Sequence, residues 1–165
     1  MATKRTLDFL DANGIQYVII HHSPAYTAAD VAATAHLPGQ TLAKTVIVRL
    51  DDRLGMAVVP ATREVDFDLL QRASAVKEVH LAAEGYFENR FDGCEIGAMP
   101  PFGNLFNMET YVDTRLAERF HIHFNAGSHT DVVGLRFDDF RRLVEPKVAD
   151  ISSARTKIDI HALQI

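Results

Sequence analysis

Residues 41–50 read Thr-Leu-Ala-Lys-Thr-Val-Ile-Val-Arg-Leu, an almost continuous apolar run with several β-branched side chains. A strand that faces water on one side alternates apolar and polar residues, so a run without alternation predicts a central strand covered on both faces. Residues 51–55 supply a turn, and Met-Ala-Val-Val-Pro at 56–60 returns as a partner strand, giving a hairpin. Packing layers must then lie on both sides of the sheet. Lys44 interrupts the run; it is the only Lys or Arg between Arg5 and Arg49, and no acidic residue neighbours it in sequence. Its ammonium must either snorkel to water from the strand end or meet an anionic or carbonyl partner, because burying it alone is costly.

The flanking segments supply the other layers. Residues 3–13 place Leu7, Phe9 and Leu10 on one side of a helix, and Gly14 follows where a left-handed cap is wanted. A strand is expected over 15–21. Thr27, three residues before Asp30, predicts the cap of a short second helix that Leu37-Pro38-Gly39 ends. Further helices are expected over 66–72 and 82–90, with a short apolar element at 79–81. Residues 109–112 and 121–125 read as strands with a short helix over 113–119 between them. Ala126-Gly127 makes a tight turn, residues 128–136 pair back on the preceding strand, and a helix over 137–144 ends before Pro146. Strands dominate the centre and helices are interspersed irregularly. The expected fold is a single α+β domain over 1–165, a mixed, curled, barrel-like sheet with surrounding helices, with residues 147–165 as a C-terminal extension.

Residues 94–104, Cys-Glu-Ile-Gly-Ala-Met-Pro-Pro-Phe-Gly-Asn, are too irregular for a helix or central strand. Pro100 and Pro101 fix φ and remove donors, while Gly97 and Gly103 permit positive φ. With Ile96, Met99 and Phe102 as apolar anchors, the segment is expected to be a stiff loop that holds backbone groups in place for a ligand. The competing reading is an ordered turn with no ligand.

Several function classes are excluded or weakened. A net charge of −5 argues against wrapping a long stretch of nucleic acid, and so against general DNA binding, but leaves room for gripping one end. The single cysteine, Cys94, rules out an internal disulfide framework and a thiolate-rich zinc site. No apolar run reaches membrane-spanning length and the first residues turn polar at once, so no membrane association and a cytoplasmic protein are expected. The prolines of the 94–104 loop lack the N–H groups that cradle phosphates, which disfavours nucleotide hydrolysis. His129, just past a glycine turn at a strand end, is either a site residue or an ordinary surface histidine. His121 and His123 share a strand face but lack a third ligand, so no metal and no cofactor are expected.

Ala43-Lys44-Thr45-Val46, Gly97-Ala98-Met99-Pro100-Pro101-Phe102-Gly103 and Phe124-Asn125-Ala126-Gly127-Ser128-His129, in that order, resemble the YbaK and prolyl-tRNA synthetase-associated editing domain family. The resemblance spans residues 7–144. It implies a free-standing aminoacyl-tRNA deacylase with a mixed α+β fold around a curled sheet. The implied substrate is mischarged tRNA, chiefly tRNA for proline carrying alanine or cysteine, and the implied partners are the acceptor end of aminoacyl-tRNA and a synthetase or elongation factor. By the same resemblance Lys44 and His129 are the catalytic candidates, and Thr45, Gly97, Ala98, Met99, Pro100, Pro101 and Gly127 bind substrate. Thr45 departs from the asparagine that alanine-editing members carry there. Such a hydrolase needs no Ser-His-Asp triad, since an aminoacyl ester is already activated and orientation with oxyanion stabilisation suffices. The alternative is a module that binds an aminoacyl or nucleotide ligand without turnover.

Overall fold

The computed structural model describes residues 4–155. Its elements in chain order are α1 (Lys4–Ala12), β1 (Tyr17–His21), α2 (Ala28–Thr34), β2 (Leu42–Leu50), β3 (Arg53–Pro60), β4 (Arg63–Val65), α3 (Phe67–Ser74), β5 (Val79–Leu81), β6 (Glu109–Asp113), α4 (Thr114–Ala117), β7 (His121–Asn125), β8 (Asp131–Arg136), α5 (Phe137–Val144), β9 (Lys147–Ala149) and β10 (Ser152–Ala154). Seven strands follow the order β1-β8-β7-β2-β3-β6-β9, and β5 adds to β2 beside that path. The sheet is mixed: β2 is antiparallel to β3 and β5 but parallel to β7, and β6 runs parallel to both β3 and β9. The expected single-domain α+β architecture around a curled sheet is observed.

The continuous apolar run of β2 has the physical cause anticipated for it. Ala43 and Ile47 enter one core cluster with Met56 and Val58 of β3, whereas Val48 and Leu50 enter a second with Ala57 and Val59. Alternate residues of the same strands therefore face two different cores. The larger cluster collects residues from β2, β3, β6, β7 and β8 together with α1 and α5, so the sheet curls around it. Phe102 sits at its centre, fully buried, with ring centroids 6.1 Å from Phe9, 5.3 Å from Phe124 and 5.6 Å from Phe140. The loop that carries Phe102 is anchored as deeply as any strand.

Several local expectations need correction. The helix expected over 82–90 is two separate 3-10 turns, Glu84–Tyr86 and Glu88–Arg90. The turn expected over 51–55 is only Asp51 and Asp52, with Asp51 at φ 57°, and β3 resumes at Arg53. Residue 66 caps its helix instead of belonging to it: the Asp66 carboxylate accepts from the N–H groups of Asp68 and Leu69. The Thr27 cap is as expected, its hydroxyl accepting from the Asp30 N–H at 3.1 Å. Residues 147–155, unread in sequence, supply β9, which extends the main sheet, and β10, which pairs antiparallel with β4; the remainder of the expected C-terminal extension lies outside the described residues. Among the described residues no helix is long and apolar enough to cross a membrane.

Candidate functional site

The two neighbours that share one edge of β2 do not cover it. β7 pairs with Leu42 and Ala43, β5 with Val48 to Leu50, and between them the edge is open. Thr41 and Ile47 both turn their carbonyls toward this edge, where they accept from the His123 and Ala82 N–H groups. Backbone direction alternates along a strand, so the N–H and C=O of Thr45 point the same way, into the gap, with no partner there among the described residues. Two free backbone groups in the middle of a sheet strand form a ready-made polar floor.

A cleft of about 600 Å³ opens over this floor, which is residues 42–47. Its size is that of a small-molecule site. The start of α2, with the exposed ring of Tyr26, forms one wall, and Ile96, Gly97 and Met99 of the proline loop another. Leu81, Glu84 and Phe87 close a third side, and Glu64, Asn125 and Arg155 complete the lining.

Lys44 is four-fifths buried at the floor and its ammonium is already partnered. It donates to the Arg63 carbonyl at 2.9 Å and to Glu64 Oε2 at 3.2 Å. The anionic partner missing from its sequence neighbourhood is thus supplied by β4, across the strand turn. Two acceptors hold Nζ in place and leave one of its three N–H donors.

The glycine turn and the proline loop are bonded to each other. Glu95 N–H donates to Gly127 O at 2.8 Å, Gly127 N–H to Ala98 O at 2.8 Å, and His129 N–H to Glu95 Oε2 at 2.9 Å. His129 itself does not line the cleft. It is 8% exposed, buried behind the loop, with its Nε2 at 2.9 Å from the Ile96 carbonyl and its ring 4.8 Å from that of Tyr26. A carbonyl only accepts, so Nε2 carries the proton, and Nδ1 is buried without a partner among the described residues. Of the other sequence candidates, Thr45, Gly97 and Met99 line the cleft together with Lys44. Ala98, Pro100, Pro101 and Gly127 are buried behind it as support. Ile96, expected as a buried anchor, is 39% exposed at the rim.

Gly97 adopts φ +87°, and a Cβ there would stand 3.5 Å from His129 Cε1, an ordinary contact. Backbone strain, not crowding, is therefore the cost of a side chain. Gly97→Ala should lower stability by roughly 1–2 kcal/mol, read as a Tm fall of about 2–8 °C, with a disproportionate loss of ligand binding as the loop shifts.

Glu64, Asn125, Tyr26 and Arg155 were not among the sequence candidates. Asn125 lay inside a quoted motif, and its Oδ1 is buried without a partner among the described residues, which marks it as a site residue more clearly than its neighbours. Glu64 and Arg155 carried no sequence signal, since both reach the cleft through pairing of two very short strands. Among the described residues no three His, Cys, Asp or Glu side chains form a metal-holding group.

Known proteins share this fold and sequence pattern. The multifunctional Ser/Thr-tRNA deacylase ProXp-y of Escherichia coli K12 is 24% identical over 155 residues, covering 89% of this chain and 90% of that protein. The solved structure of hypothetical protein APE2540 superposes with a TM-score of 0.80 at 20% identity, covering 91% of this chain and 100% of its own. A candidate trans-editing enzyme for prolyl tRNA synthetase gives 0.76 at 18% identity, covering 92% and 96%. At these identities the solved structures speak to fold alone. Residues 22–143, which include β2, the proline loop and the His129 turn, match the aminoacyl-tRNA editing domain, and the chain belongs to that family.

Proposed function

We propose that this protein is a deacylase that hydrolyses the ester of tRNA charged with a small wrong amino acid. The observation that carries the reading is the cleft over an unpaired strand edge, lined by Thr45 and by Lys44, whose ammonium is fixed by two acceptors. Water attacks the ester carbonyl, the carbonyl oxygen gains negative charge, and the bond to the ribose oxygen breaks to release the amino acid and a tRNA hydroxyl. The remaining Lys44 donor and the Thr45 N–H stabilise that developing oxyanion, and the vicinal ribose hydroxyl helps place the water. His129 is a positioning residue, holding the Ile96 carbonyl and the Gly97 turn from behind. Gly97 and Met99 form the wall that limits the size of the amino acid, backed by Ala98, Pro100, Pro101 and Gly127.

Substrate choice follows from the lining. A methylene is worth only ~1–3 kcal/mol, whereas a site with unpaired polar groups rejects a ligand that cannot satisfy them more strongly. The Thr45 hydroxyl and the unpartnered Asn125 amide oxygen favour an amino acid that bears a hydroxyl, a preference in line with the Ser/Thr name of the similar E. coli protein. Alanine or cysteine on tRNA for proline is the second reading, supported by the resemblance of the proline loop. A deacylation panel of tRNAs charged with serine, threonine, alanine, cysteine and proline tests both. Serine or threonine is expected to be released at least tenfold faster than alanine, and no hydrolysis of any ester would sink the proposal. A non-catalytic binding module is favoured by one observation, that no histidine lines the cleft among the described residues. Tight binding of a non-hydrolysable aminoacyl-adenosine without turnover of its ester would establish it.

A further inference from the structure

The cleft's second cation comes from a segment that the family match does not include. Residues 22–143 carry that match, while Arg155 follows β10. β10 is stitched to β4 in the register Ser152↔Val65, Ser153↔Glu64 and Ala154↔Arg63. Arg63 reinforces it, donating from Nε to Ser152 Oγ at 2.7 Å and from Nη2 to the Ser152 carbonyl at 3.1 Å. Upstream, fully buried Ile151 donates its N–H to Asp113 Oδ2. The path of the segment is therefore fixed, and it delivers the Arg155 guanidinium to the cleft. There Nε donates to Glu64 Oε1 at 3.2 Å and Nη2 to the Ala61 carbonyl at 2.8 Å.

Glu64 is thus shared: one carboxylate oxygen meets Lys44, the other Arg155. Two cations on one carboxylate leave this wall with net positive charge, whereas Glu84, the other lining carboxylate, stands on the 3-10 turn of another wall. Arg155 is 46% exposed and uses two of its five N–H donors in these bonds, leaving three in a fixed plane. A planar fork with free donors is suited to bidentate recognition of carboxylate or phosphate. The carboxyl group of an aminoacyl ester is esterified, so the anion beside it is the phosphodiester of the terminal nucleotide. Lys44 and Arg155 stand one carboxylate apart, a spacing comparable with the reach across a ribose from its ester to its 5′ phosphate.

We propose that Arg155 anchors the phosphate of the terminal nucleotide while Lys44 faces the ester, so that residues 147–155 complete the substrate site. The inference rests on the deacylase reading for its substrate but is tested separately from it. Arg155→Gln and Arg155→Lys are compared with the parent on charged tRNA and on the matching aminoacyl-adenosine that lacks a 5′ phosphate, each over a salt series. Arg155→Gln is expected to lower kcat/KM on charged tRNA about 10–100-fold, mainly through KM, and by at least tenfold more than on the phosphate-free ester. The slope of log kcat/KM against log salt should flatten by about 0.7, one single-strand phosphate contact, and Arg155→Lys should recover part of both. Equal losses on the two substrates, or an unchanged salt slope, would overturn the anchor and leave Arg155 as a brace for Glu64. If the parent hydrolyses no charged tRNA, the deacylase reading fails. Binding of uncharged tRNA by parent and Arg155→Gln over the same salt series then still decides the anchor.

Discussion

Lys44→Ala is expected to lower single-turnover deacylation about 10²–10³-fold while moving Tm by no more than about 4 °C. The two halves of this expectation have different causes. In the proposed mechanism the ammonium is one of two donors to the oxyanion, and removal of one such donor carries a loss of that size. The stability term is small because Glu64, the carboxylate left behind, is about half exposed and keeps Arg155 as a partner. Lys44→Arg should recover only part of the rate. A guanidinium cannot reproduce a point donor held between the Arg63 carbonyl and Glu64, and its fork is larger than the space the ammonium fills. Single-turnover rates measured beside thermal unfolding separate the outcomes. Rates within a few-fold of the parent would make Lys44 a structural cation neutralising Glu64, and a rate loss that tracks unfolding would also count against its role at the ester.

The architecture was readable where chemistry is local. The unbroken apolar run of β2 announced a strand with two covered faces, and two core clusters meet across it. The Thr27 cap and the α5 stop were written in adjacent residues. What escaped was non-local or weakly patterned. Arg-Glu-Val at 63–65 and Ser-Ser-Ala at 152–154 are too short and too mixed to signal strands, and each exists because the other pairs with it. Glu64 and Arg155 reach the cleft only through that pairing, so no reading of either segment alone finds them. Residues 82–90 have helical spacing, but the chain turns in two tight steps that place Glu84 and Phe87 on the cleft wall. His129 was singled out by its place after a glycine turn, which is correct as a position, yet its side chain enters the protein behind the loop instead of the cleft.

The segment that carries Arg155 depends on one buried carboxylate. The side chain of Asp113 is fully buried, caps α4 by accepting from Arg115 N–H at 3.0 Å, and accepts from the Ile151 N–H at 3.1 Å and from Arg115 Nη1 at 3.2 Å. Burial pushes its pKa up, but the backbone donors of Arg115 and Ile151, with Ser152 and the Arg115 side chain, outweigh burial and hold it below the ordinary 3.8. Asp113→Ala leaves the buried Ile151 N–H without an acceptor and uncaps α4, a loss of about 3 kcal/mol, or a Tm fall of about 6–12 °C. A carboxylate with a depressed folded pKa stabilises the fold above its unfolded pKa, and that contribution is lost as pH falls through the folded value. The Tm gap between parent and variant should therefore be constant at neutral pH and narrow only below pH 3.8, a window set by the ordinary value. A gap that closes near neutrality would assign the effect to another group. Below its own Tm the Asp113→Ala protein should also lose activity on charged tRNA to about the level of Arg155→Gln. Adding Arg155→Gln to it should cost little more, because freeing Ile151 already releases the strand that brings the guanidinium to the cleft. Independent, multiplying losses in the double variant would show that Arg155 keeps its place without the Asp113 anchor.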